Sequence, residues 1–216
     1  MKSRLKKQSF DYELIAMSYH EAGHVVCGLY NYLYVHDANV MTPTKREGGT
    51  NFYIYGNESV EDEELNKILL IFELQALYAG LIAERMYYKD ICGSSKFPMH
   101  LKNGSTYDTS LASKIIRKNN LAPSGKQTFL FKKQIQYDVE QLLAEHWDAI
   151  KVIAHSLYTK RRVTFDELKY VLTRKTSYKD VWKSKFRKIR IIHNDKNPPA
   201  EALVKDLVLE DTIFSI

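Results

Sequence analysis

The stretch from Asp11 to Tyr34, DYELIAMSYHEAGHVVCGLYNYLY, decides the fold. Leu14, Met17, Val25, Leu29 and Leu33 recur at helical intervals with no proline between them, which predicts one long helix. On such a helix His20 and His24 stand at i and i+4, so their imidazoles share a face and Glu21 projects beside them. Gly23 costs about 1 kcal/mol in a helix interior, and close approach of another backbone is a reason to keep it.

Downstream, VHDANVMTPTKREGGTNFYIYGNES is rich in β-branched and aromatic residues punctuated by Pro43, Gly48 and Gly49, and reads as two short strands joined by a loop. Ser59-Val60-Glu61-Asp62 resembles a helix start, with the helix running on through NKILLIFELQALYAGLIAERMYY. The stretch containing Pro98 and Gly104 reads as a loop, and DTSLASKIIRKN returns to a helical pattern. One further long helix is expected from Thr128 to Leu157. Thr164-Phe165-Asp166-Glu167 has the form of a capping box opening a short helix.

Composition bounds the rest. The chain has 216 residues, 44% hydrophobic and 27% charged, enough for a real core. Two cysteines, Cys27 and Cys92, are too few for a disulfide framework and point to a reducing, cytoplasmic setting. The basic start MKSRLKKQSF is followed by acids and histidines where a signal peptide has an apolar run. No membrane span is expected, since ILLIFELQALYAGLIAE is interrupted by Glu73 and Gln75. The net charge is +6, and eight basic residues against Asp180 fall between Arg174 and Arg190. Val181, Trp182, Phe186 and Ile189 recur there at helical spacing, so the segment reads as a solvated basic face over an apolar stripe, with nucleic acid an unfavoured partner.

Two imidazoles at i and i+4 can bind one zinc ion, and a glutamate beside them can take a proton from zinc-bound water. The alternative is two histidines bonded to neighbours on a partly buried helix. A catalytic zinc normally has three protein ligands and one open position. A third histidine six residues after His24 is absent, because position 30 is Tyr30, and the region beyond is poor in acids. The other histidines, His36, His100, His146, His155 and His193, lack ligand spacing and read as surface or satisfied core residues.

These motifs resemble the peptidase domain of the FtsH-type ATP-dependent zinc metalloproteases. The HEAGH helix is matched at His20 to His24. Val40, Pro43 and Gly48-Gly49 are similar to the segment that follows it, and AGLIAER resembles a later helix through Gly80, Ala83 and Glu84. In YDTSLASKIIR, Asp108, Ala112, Ile115 and Arg117 keep the register of the family helix whose aspartate is the third zinc ligand. From the residues alone Asp108 reads as a helix N-cap; the resemblance makes it that ligand. The resemblance runs from about Tyr12 to Leu172, with Leu81, Arg85 and Thr109 departing from the pattern. The AAA ATPase and membrane anchor of the family have no counterpart, and PSGKQ lacks the residues of a phosphate-binding loop.

The expected architecture is mainly α: a helical zincin-like metallopeptidase domain over 1–172, with a small two- to three-stranded β element, and a basic C-terminal extension over 173–216. The expected activity is zinc-dependent peptide hydrolysis with one Zn2+ per chain. His20, His24 and Asp108 are its ligands and Glu21 its base. Unfolded or peptide substrates are expected, with an unfolding ATPase acting in trans and oligomers compatible. The rival expectation is a weak or inactive domain that works as a binding or adaptor module through Arg174 to Arg190.

Overall fold

The long helix forms as the apolar spacing predicts. In the computed structural model, which describes residues 2–40, 48–55, 60–90, 93, 105–123, 125–194 and 199–209, α1 spans Lys2–Tyr30. Every residue from His20 to Leu29 is buried, so this part of α1 is wrapped on all sides. The helix stops four residues before Tyr34. Leu33 N donates to Gly28 O at 2.9 Å and Asn31 N to Cys27 O at 3.0 Å, while Tyr32 takes φ 61. This is a helix-ending turn with tyrosine where glycine is usual. The strain is offset by burial, by Lys185 Nζ donating to the Tyr32 hydroxyl at 2.7 Å, and by His193 Nε2 bonding to its carbonyl at 2.9 Å.

The two expected strands are β1, Tyr34–Asn39, and β2, Gly49–Tyr53, which pair antiparallel. The register shifts between Val35 and Asp37, a bulge at His36 that turns Asp37 inward to meet Arg162 at 2.5 Å and Asn51 at 2.6 Å. A third strand, β3, Arg162–Thr164, joins the other side of β1, giving the order β2-β1-β3. Among the described residues β2 is therefore an edge strand. Thr164 ends β3 and opens α6, Phe165–Lys175, with its backbone N–H donating to Glu167 Oε2 at 2.9 Å, as the capping-box pattern predicts.

Helix α2, Glu63–Asp90, starts where Asp62 Oδ1 accepts from Leu65 N at 2.8 Å. It is long and apolar enough to cross a membrane, yet most of its apolar window is buried inside the protein. Its polar interruptions are accommodated: Gln75 accepts from Asn31 at 2.8 Å, and burial pushes the Glu73 carboxyl up. α3, Ser105–Lys118, packs on α2. The expected single helix over 128–157 is two, α4, Lys126–Glu145, and α5, Trp147–Lys160. They meet at His146, whose buried ring packs among the aromatic rings of Tyr30, Tyr178 and Trp182. Neither of its ring nitrogens is hydrogen bonded, so His146 is not the satisfied core histidine expected.

The basic segment forms α7, Lys179–Ile192, followed by α8, Glu201–Leu209. Trp182, Phe186 and Ile189 enter the same core as α1 and α2, whereas Val181 faces outward. α8 is tied to the start of α2, with Lys205 Nζ 2.6 Å from Glu64 and 3.1 Å from Asp62. The architecture is mainly helical with one small three-stranded antiparallel sheet. The expectations resting on Pro43, Ser59, Cys92, Pro98, His100 and Gly104 lie outside the described residues.

Candidate metal centre

The crossing of α1 over α2 sets the site, and glycines set the crossing. A Cβ at Gly23 would lie 2.5 Å from the Ala79 carbonyl oxygen and 2.6 Å from Ala83 Cβ, so the two backbones meet only because position 23 has none. Next to Ala79 on α2, Gly80 does the same for the histidines: a Cβ there would lie 2.3 Å from His24 Nε2 and 2.6 Å from His20 Nε2. The two imidazoles thus lie over the bare backbone of α2.

Both rings are fixed by what their other nitrogen touches. His24 Nδ1 is 2.7 Å from the Ala76 carbonyl, and His20 Nδ1 is 3.2 Å from Glu84 Oε2. A carbonyl and a carboxylate only accept, so both Nδ1 atoms donate, and in neutral rings both Nε2 atoms carry lone pairs. Those lone pairs converge. His20 Nε2 is 3.0 Å from His24 Nε2, and Asp108 Oδ2 lies 3.3 Å from the first and 3.5 Å from the second. Three electron-rich atoms in a buried place repel one another unless a cation, a proton or a metal ion, lies among them.

The acid–base behaviour follows. Burial acts to depress His20, but its hydrogen bonds to Asp108 and Glu84 and the nearby charge of Glu21 prevail and hold its imidazolium up to about 10. Burial acts to raise Asp108, yet the two histidines hold its carboxyl well below the usual carboxylate range. These three side chains form the one group of this kind among the described residues, a ligand set that could hold a metal ion. Asp108 sits in the first turn of α3 rather than at its N-cap, and arrives from a different element than the histidines.

Glu21 is buried one position along α1, and Thr50 Oγ1 of β2 donates to its Oε2 at 2.8 Å. Its Oε1 faces Gly48, where a Cβ would lie 2.9 Å away. So Thr50 of β2 fixes one carboxylate oxygen, and the bare backbone of Gly48 leaves room for the other. All four residues singled out from the sequence are placed around one crossing. Glu84, Thr50 and the Ala76 carbonyl complete the arrangement without having been assigned a role. Glu84 could have been found from its position four residues after Gly80, one turn along the same helix face. A carbonyl oxygen has no residue type and leaves no such signal. Cys27 lies buried nearby on α1 and burial pushes its thiol up, so it is an inert core residue. Compared with protein-family models and with curated proteins, the chain matches none.

Proposed function

We propose that this chain is a zinc-dependent endopeptidase of the FtsH peptidase type, with His20, His24 and Asp108 as ligands and Glu21 as general base. The observation that carries the reading is the convergence of two imidazole Nε2 atoms and a carboxylate oxygen on one point, with a second buried carboxylate beside it. Four-coordinate zinc with bonds of about 2.0–2.1 Å separates neighbouring ligand atoms by about 3.3–3.4 Å. The separations of 3.3 and 3.5 Å to Asp108 match that edge, and the histidine pair at 3.0 Å is only slightly tighter. Three protein donors also leave a fourth position, the mark of a catalytic rather than a structural site.

Bound there, zinc supplies Lewis acidity that acidifies water and polarises the scissile carbonyl. Glu21 does the proton work. Thr50 holds Oε2, so Oε1 takes a proton from the attacking water and returns it to the leaving amide nitrogen. Glu84 and the Ala76 carbonyl hold the two rings in the δ-protonated form, keeping the Nε2 lone pairs aimed inward. Unfolded or short peptides are the substrates this reading favours.

Purified protein is expected to carry about one zinc per chain. Glu21→Gln should retain that zinc while peptide hydrolysis falls by about 10²–10⁴-fold, the usual worth of a general base. Asp108→Ala should lose the metal. Metal analysis with a peptide-library digest reads both. Undiminished hydrolysis by the glutamine variant would refute the mechanism.

A further inference from the structure

Away from the metal centre, and sharing no residue with it, a cavity of about 930 Å³ opens between α6, α7 and Leu203 of α8. Lys169 and Arg174 line it from α6, and Lys183, Arg187 and Arg190 from α7. Among the described residues that line it there is no acid. The sequence pattern explains the convergence: Lys183, Arg187 and Arg190 fall at i, i+4 and i+7, one face of a helix, and that face looks across at α6.

Two of the five cations are compensated from outside. Lys183 meets Asp180 at 2.7 Å, and Arg190 meets Asp166 at 3.7 Å. Arg174 stacks over Tyr170 at 4.7 Å, which orients the guanidinium without neutralising it. Among the described residues no acid pairs with Lys169, Arg174 or Arg187. That leaves about three positive charges facing one concavity of small-molecule size.

We propose that this cavity binds a small polyphosphate, the phosphate chain spanning Lys169, Arg174 and Arg187. Charge and shape both select it. A triphosphate concentrates about three to four negative charges in the space the cations surround, and arginine forks match phosphate oxygens in pairs. Nucleic acid fits poorly, because Asp166 and Asp180 stand exposed beside the cavity, 85% and 93% open to solvent, and repel a strand that continues past it. Ile191 and Leu203 line the same cavity and are 40% and 46% exposed, offering an apolar surface to a ring carried by the phosphates. The chemistry is shared by nucleotides and inorganic polyphosphate.

Calorimetric titration of the full chain with magnesium tripolyphosphate and with magnesium ATP tests this, in excess Mg2+ so that neither probe strips a metal from the other site. One site per chain is expected. Arg187→Glu and Arg174→Glu, both at exposed positions, should each weaken binding about tenfold or more, the scale of a lost charge-assisted bond. Lys118→Glu makes the same charge change on α3 and should shift affinity by less than about twofold. Tighter binding of ATP than of tripolyphosphate identifies a nucleotide site; equal binding identifies a site for the phosphates alone. The proposal is overturned by the absence of saturable binding, by equal weakening from Lys118→Glu, or by an oligonucleotide that binds more tightly than both probes.

Discussion

On the proposed reading, a single proton decides how the site would take up metal. In the metal-free protein His20 holds its proton up to about pH 10, and an ion can bind only when that proton leaves. Metal affinity should therefore rise about tenfold per pH unit below that value, and titrations in buffers of different ionisation enthalpy should show about one proton released per ion. Stability of the metal-free chain runs the other way. The His20 contribution is whole below its ordinary value of 6.5 and is lost as pH rises toward 10. The Asp108 contribution is whole above 3.8 and is lost as pH falls below it. Urea midpoints of the metal-free protein should thus peak between those two values. Gly80→Ala is the sharpest residue test: its methyl group would occupy the space of the two Nε2 atoms, so the variant should fold and fail to retain metal through dialysis. The four principal residues were legible because histidine, glutamate and aspartate carry their chemistry in their side chains. Gly80 was named only through the resemblance of AGLIAER, and its part in the site was not readable, since what it accommodates lies on another element.

The elements owe their placement to close approach at α1 and α2. Gly23 was expected to have a packing reason, and the Ala79 carbonyl is that reason. Gly23→Ala should force the helices apart and cost about 1–3 kcal/mol, the scale of overpacking, read as a lower melting temperature. Helix starts with a chemical signature were readable, as the capping box at Thr164 shows. Elements without one were not. β3 has three residues and exists because β1 offers it an edge, while the division of α4 from α5 has no glycine or proline to announce it. At the break, His146 meets an aromatic nest assembled from the end of α1 and the start of α7, which no local window contains.

At the scale of the whole molecule, one core links the metal centre to the C-terminal helices. Trp182 of α7 is fully buried beside Tyr30, which closes the helix that carries His20 and His24. Trp182→Ala should cost about 3–5 kcal/mol, and chemical denaturation should show it as one cooperative shift rather than a separate early transition. The apolar stripe of α7 was legible from spacing, and its basic face is what remains outside. Its packing against α1 depends on contacts more than 150 residues apart, which periodicity does not reveal.

The three donors also differ in how they reach the site. Two nitrogens come from one helix locked at its crossing, with side chains 7% exposed, whereas Asp108 arrives on α3 and is 16% exposed. The carboxylate is therefore the ligand on the solvent side. On the proposed reading an ion would enter and leave past Asp108, so a substitution there should speed exchange of the ion with a chelator before it lowers the stability of the fold.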